Sequence, residues 1–279
     1  MIKDEIVIAE ALDGQIRIHA ACTTALVEQA RKHHHCMPTS AAALGRTLTV
    51  TAIMASDLKG ENEKVTAMLN GHGPAGTVLA QADAKGNVKG FIGDPNLYLV
   101  REDGHLAVGQ AIGTDGNLTV SRDMGLKEPF TGVSKIQSGE VGDDFAYYFA
   151  ISEQTPSVVG VGVLVSPDGT IKASGGLIYQ LLPNATEEAI SFCENVAATQ
   201  KPVSELIDSG LSLDEIIHTY FSDANILDRR NVQWHCECSK ERFAASLMTL
   251  KDSEIEEMIN EHQFKELKEE LKNNMYPVD

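Results

Sequence analysis

The chain changes character at Pro183, and that change limits what it can fold into. Before it, glycine is frequent and short alternating stretches stand beside helical ones. After it, glycine becomes rare and helix-start signals multiply. The pattern predicts a mixed α/β core of the α+β class over 1–180, a helical linker over 181–231, and a small C-terminal unit over 232–279. A chain of 279 residues buries about three quarters of its unfolded surface and divides into more than one unit.

Local signals place the elements. Thr23 or Thr24 can cap a helix running towards Arg31, and Pro38-Thr39-Ser40 opens a longer one to Lys59, with Gly60 just past its end. Val65, Ala67 and Leu69 alternate as in a strand. Gly71 to Gly76 is a turn, Thr77 to Ala82 a return strand, and Asn87 to Ile92 another strand. Asp143 and Asp144 precede a short helix over Phe145 to Ser152. Val158 to Val165 and Thr170 to Leu182, joined through Ser166-Pro167-Asp168-Gly169, read as a hairpin. In the linker, Thr186 opens one helix and Pro202 the next, with Gly210 past its end. Ser212 and Glu215 make a capping box ahead of Ile216, Ile217, Tyr220 and Phe221. No strand is expected there. Beyond it, Ser239 caps a helix carrying Phe243, Leu247 and Leu250, and Ser253 to Glu256 forms a second box. Phe264, Leu267 and Leu271 form a further stripe whose phase slips after Ile259.

Charge and hydropathy exclude several functions. Lys and Arg total 23 against 40 Asp and Glu, a net charge of −17, so neither nucleic acid nor an anionic membrane is an expected partner. The longest uncharged run, Val65 to Ala82, is broken by Asn70, Gly71, His72, Gly73 and Pro74 and cannot span a bilayer. Asp4, Glu5 and Glu10 interrupt any secretory signal, so the expected compartment is the cytoplasm. The five cysteines, Cys22, Cys36, Cys193, Cys236 and Cys238, are then not a disulfide framework.

Most familiar signatures dissolve on inspection. Gly71, Gly73 and Gly76 fit G-x-G-x-x-G, but Thr77 to Ala82 reads as a strand and not as the helix a dinucleotide site needs, so a glycine-rich turn is expected. His33, His34, His35 and Cys36 are consecutive, and neighbours on a helix point about 100° apart. A polar loop ahead of Pro38 is favoured over a metal site. Asp143 and Asp144 read as helix-start carboxylates. No nucleophile–base pair is evident, and an enzyme is not expected.

Trp234-His235-Cys236-Glu237-Cys238-Ser239 is different. Two thiols one residue apart can place both sulfurs on one soft metal ion. They precede a helix start and have Lys240 and Arg242 nearby, an arrangement that favours the thiolate, which is both the metal ligand and the form oxidants attack. Two inert buried cysteines are the alternative. Glu237 is expected to face solvent, and Trp234, the only tryptophan, to report on opening of this region.

As a whole the sequence resembles the redox-regulated heat-shock chaperonins of about 33 kDa. The resemblance runs through Leu12-Asp13-Gly14, Met37 to Thr47, Gly71 to Gly76, Asp83 to Gly86, Phe130-Thr131-Gly132, Ser138-Gly139-Glu140, Gly142 to Phe145, Pro156 to Val163 and Ala173 to Gly176. Cys236-Glu237-Cys238-Ser239-Lys240-Glu241-Arg242 is similar to the first half of the family's zinc motif. The resemblance implies an ATP-independent cytoplasmic holdase that binds unfolding proteins under oxidative stress. It implies zinc held by thiolates in the reduced, inactive form, with Cys236 and Cys238 among the ligands. On oxidation those two would form a disulfide, zinc would leave, and the active form would dimerise. Losing ligands can unfold a small metal module.

The family pattern continues with a C-x-x-C after a helical stretch. Here no cysteine follows Cys238, and the segment that would carry the second pair is skipped between Glu261-His262 and Phe264. His235, His262 or a second chain are the remaining sources of ligands. A constitutive unfolded-protein-binding chaperone that has lost the switch is the alternative.

Overall fold

The computed structural model describes residues 3–251 and 253–256. In chain order the elements are β1 (Glu5–Ala11), β2 (Ile16–Cys22), α1 (Thr24–His34), α2 (Pro38–Ala55), β3 (Lys64–Asn70), β4 (Val78–Asp83), β5 (Asn87–Ile92), α3 (Val108–Ile112), β6 (Asn117–Asp123) and β7 (Phe130–Lys135). After these come α4 (Val141–Ser152), β8 (Ser157–Val165), β9 (Ile171–Leu181), α5 (Glu187–Thr199), α6 (Val203–Asp208), α7 (Leu213–Tyr220), β10 (Asn225–Asn231), β11 (Gln233–Trp234) and α8 (Lys240–Leu247). The α+β class expected from the sequence is the class observed.

Two sheets form the frame. One is five-stranded in the order β10-β1-β2-β9-β8, the other six-stranded in the order β11-β5-β4-β3-β6-β7. α2 packs against strands of both. All its residues except Pro38 and Arg46 are buried. Its composition makes that possible. Alanines keep it slim, and Gly45 lets α1 and β8 come close, since a Cβ there would meet Val27 Cγ1 at 2.5 Å and Val163 Cγ2 at 3.0 Å. The buried hydroxyls of Thr47, Thr49 and Thr51 each donate to the carbonyl four residues back at 2.8 Å, so none is left unsatisfied. The helix ends at Ala55 and not at Lys59. Ser56 Oγ donates to Ile53 O at 2.7 Å, and Asp57 turns away to His19.

The two faces of the five-stranded sheet carry separate cores. One faces α2. On the other, α5, α6 and α7 bury Cys193, Val196, Leu206, Ile207, Ile216, Ile217 and Phe221 against Val7, Ile16, Ile18, Leu177 and Tyr179. Covered on both sides, β9 is buried almost continuously, whereas β3 alternates because only one of its faces is covered. The expectation that 181–231 holds no strand is corrected here. β10 pairs antiparallel with β1 from Glu5↔Asn231 to Glu10↔Asn225. Its sequence, Asn225-Ile226-Leu227-Asp228-Arg229-Arg230-Asn231, lacks alternation because it is an exposed edge strand. The helices of this stretch pack as a layer on that face of the sheet.

Capping follows the sequence in part. The Ser212–Glu215 box forms reciprocally, and Thr186 Oγ1 accepts from Ala189 N. At α1 the capping carboxylate is instead Asp4, which accepts from Ala25 N (3.1 Å) and Leu26 N (2.6 Å). Thr23 turns inward to Thr49 and Ser174. The 71–77 segment links β3 to β4 as a turn, and Gly73 N and Ala75 N donate to Ile112 O and Ala111 O. β4 comes directly after it, which removes the dinucleotide reading.

Candidate functional site: the C-terminal cysteine pair and its anchor

A short anchor strand leads into the cysteine pair. β11 runs parallel to β5, with Gln233 N donating to Gly86 O and His235 N to Val88 O, both at 2.9 Å. Gly86 has φ +81°, and a Cβ there would run into the carbonyl of Asn231, so the turn needs glycine for the chain to pass. The Trp234 ring packs against His33 and His34, with centroids 5.8 Å away in each case. His34 Nε2 donates to Gly90 O at 2.8 Å, and burial lowers its pKa, consistent with a neutral donor. The expected polar loop at 33–36 is therefore corrected. His33 and His34 are the last turn of α1, His35 is its left-handed cap, and Cys36 is buried. The histidine run cradles the tryptophan, a role no local pattern announces.

Compact units divide after His235, and the second unit begins at Cys236. Cys236 is half-buried and Cys238 exposed. Ser239 caps α8 as expected, its Oγ accepting from Arg242 N at 3.1 Å. Arg242 Nη1 pairs with Glu237 Oε2 at 3.0 Å. Glu237 is thus exposed but ion-paired, and the arginine expected to favour thiolate is engaged by a carboxylate between the two sulfurs in sequence. At the second expected box, Glu254 reaches back to Lys251 N (2.9 Å), two residues ahead of the Ser253 start. His262, the stripe of Phe264, Leu267 and Leu271, and the phase slip after Ile259 lie outside the described residues.

The other three cysteines are of a different kind. Cys22, Cys36 and Cys193 are buried. Burial raises the Cys22 thiol and pushes Cys36 and Cys193 up to about 11, so all three stay protonated and slow to react.

A closed thiolate zinc site needs four ligands in a tetrahedron. Cys236 and Cys238 supply two, and no cysteine comes after them in the sequence. Among the described residues no group of three or more His, Cys, Asp or Glu is placed to hold a metal. One chain therefore does not fit a four-thiolate centre.

An open cleft of about 450 Å³ lies beside α3, lined by Arg101, Gly109, Gln110, Ser138 and Glu140 among others. Its carboxylate and its Ser138 hydroxyl are committed to structure. Glu140 pairs with Arg46, and Ser138 Oγ donates to Asp143 at 2.8 Å. Asp144 accepts from Gln137 N and Ser138 N as a buried helix-start carboxylate, its pKa raised by burial. No nucleophile–base pair is assembled there.

A family model described as Hsp33 protein matches residues 4–279. The chain belongs to the Hsp33 family. The 33 kDa chaperonin of Staphylococcus carnosus is 48% identical over 264 residues, covering 94% of this chain and 90% of that protein. Those of Staphylococcus haemolyticus and Staphylococcus aureus are 46% and 45% identical over the same coverage. The crystal structure of the 33 kDa chaperonin from Thermotoga maritima superposes with a TM-score of 0.83 at 32% identity, covering 92% of this chain and 89% of that one. The resemblance read from the sequence is therefore membership of a chaperone family, and the mixed α+β architecture is the family's. No described helix is long and apolar enough to cross a membrane.

Proposed function

We propose that this chain is an ATP-independent cytoplasmic holdase that captures unfolding polypeptides, with Cys236 and Cys238 as its redox-responsive element and a dimer as its active form. The observation that carries the redox part is the division of the thiols. Three are buried in the core, and the remaining two stand one residue apart, half-buried and exposed, just before a helix. Peroxide attack on one thiolate gives a sulfenic acid and water. The second thiol then displaces a second water, so two thiols become one disulfide. The reading runs through the sulfurs alone, because the donor set of one chain does not close around zinc.

A second reading is favoured by the same donor count. With two C-terminal cysteines in place of four, the chain is a constitutive binder of unfolded proteins. Suppression of client aggregation separates the two. Low suppression in reducing buffer that rises after peroxide, and does not rise in Cys236→Ser/Cys238→Ser, supports the switch. Equal and high suppression in both buffers supports constitutive binding. No suppression in either rejects the holdase.

A further inference from the structure

The outer edge of the six-stranded sheet plays no part in the thiol chemistry. β7 ends that sheet, and among the described residues no strand pairs with its outer side. Ile136 N donates to Gly116 O on the β6 side. By antiparallel alternation Ser134, Gly132 and Phe130 also turn their main-chain groups inward, and Thr131, Val133 and Lys135 turn theirs outward. Lys135 obeys this rule, since its carbonyl accepts from the Gln137 side chain at 2.9 Å. Thr131 and Val133 then present outward N–H and C=O groups at strand spacing. Natural sheets blunt such edges with Lys or Pro. Here Pro129 and Lys135 stand at the two ends, and Thr131-Gly132-Val133 between them is bare.

Apolar surface flanks the edge on both sides. On the open face, Val133 is in register with Thr119, Met68, Leu79 and Phe91, with Met68, Phe91 and Val133 exposed. On the helix side, Tyr148 lies against Gly132. Ile151, three residues along α4, is more than half exposed, as are Phe130 and Leu126 of the strand and its approach.

We propose that β7 accepts an extended apolar segment of an unfolding polypeptide as an added strand. The proposal rests on the holdase reading and gives it a site. The chemistry sets the occupant. Outward main-chain donors and acceptors are matched by another extended backbone, and main-chain bonding is indifferent to sequence, as capture of varied unfolded chains requires. The alternate side chains of the added strand find apolar neighbours on both faces.

The test is hydrogen–deuterium exchange of the peroxide-treated full chain, alone and with reduced, carboxymethylated α-lactalbumin as a permanently unfolded probe, alongside an aggregation assay on the same oxidised chain. The expected result is protection of the Thr131 and Val133 amides only when the probe is present. Val133→Pro deletes an outward donor and spares the inward bonds of its neighbours. Leu126→Lys with Ile151→Lys removes apolar flanks and leaves the ladder alone. Each is expected to weaken probe binding about three- to ten-fold. Unchanged probe binding in the lysine pair overturns the site. So does missing protection in a wild-type chain that still suppresses aggregation, which leaves the holdase reading standing. A chain that neither suppresses aggregation nor gains protection overturns both. Protection without probe, accompanied by a dimer in the native mass spectrum, assigns the edge to a second copy and overturns the client site.

Discussion

The core and the C-terminal segment treat the same side chain in opposite ways. Cys36 and Cys193 lie among apolar neighbours that push their thiols to about 11, and Cys22 is raised by burial as well. Cys236 and Cys238 stand half-buried and exposed outside the first compact unit. The difference teaches that cysteine count is a poor guide to redox chemistry. Solvent access governs which sulfurs an oxidant can reach, and here it divides the five cysteines into three and two.

The largest test of that division is to open the second core. Phe221 is fully buried, with ring centroids 5.2 Å from Tyr179 and 5.8 Å from Phe192. Phe221→Ala is expected to cost about 3–5 kcal/mol in denaturant unfolding. It should also make Cys193 alkylate faster in the folded chain while Cys36, in the other core, stays slow. Equal rates at both would break the claim that each core shields its own thiol.

A smaller effect concerns acid. Arg31 holds the Glu28 carboxyl down, from 4.5 to about 2, and Glu28 also accepts from Ile171 N, tying α1 to β9. A carboxyl held below its unfolded value stabilises the fold fully above about pH 4.5, and that contribution is lost as pH falls towards 2. Glu28→Gln should therefore lower stability at neutral pH and flatten its fall over this range in pH-dependent unfolding curves. An unchanged acid limb would contradict the assignment. The smallest effect belongs to the C-terminal segment. Ser239→Ala removes the α8 cap and is expected to cost about 1 kcal/mol of local helix stability. Amide exchange should quicken in α8 with no change in alkylation of the three core thiols.

Much of the frame was legible because its signals are local. Alternation at Val65, Ala67 and Leu69, the Ser166-Pro167-Asp168-Gly169 turn, the Ser212 box and the Ser239 cap each act within a few residues. What was missed depends on distant partners. β10 became a strand by pairing with β1 at the other end of the chain, and its charged sequence carries no strand pattern. Asp4 caps α1 from the start of the neighbouring strand, 22 residues away, and Thr23 is drawn inward by Ser174, 151 residues away. The histidine run reads locally as a loop because its partner, Trp234, arrives only when β11 pairs with β5. At the candidate site the sequence located both sulfurs and the cap. It did not reveal that Arg242 is engaged by Glu237.

The most direct measurement is peptide mapping of the folded chain after peroxide, with unreacted thiols alkylated only once the protein is unfolded. The expected result is loss of two hydrogens confined to the peptide holding Cys236 and Cys238, with Cys22, Cys36 and Cys193 recovered as alkylated thiols. Oxidation of the three core cysteines, with the C-terminal pair still reduced, would contradict it.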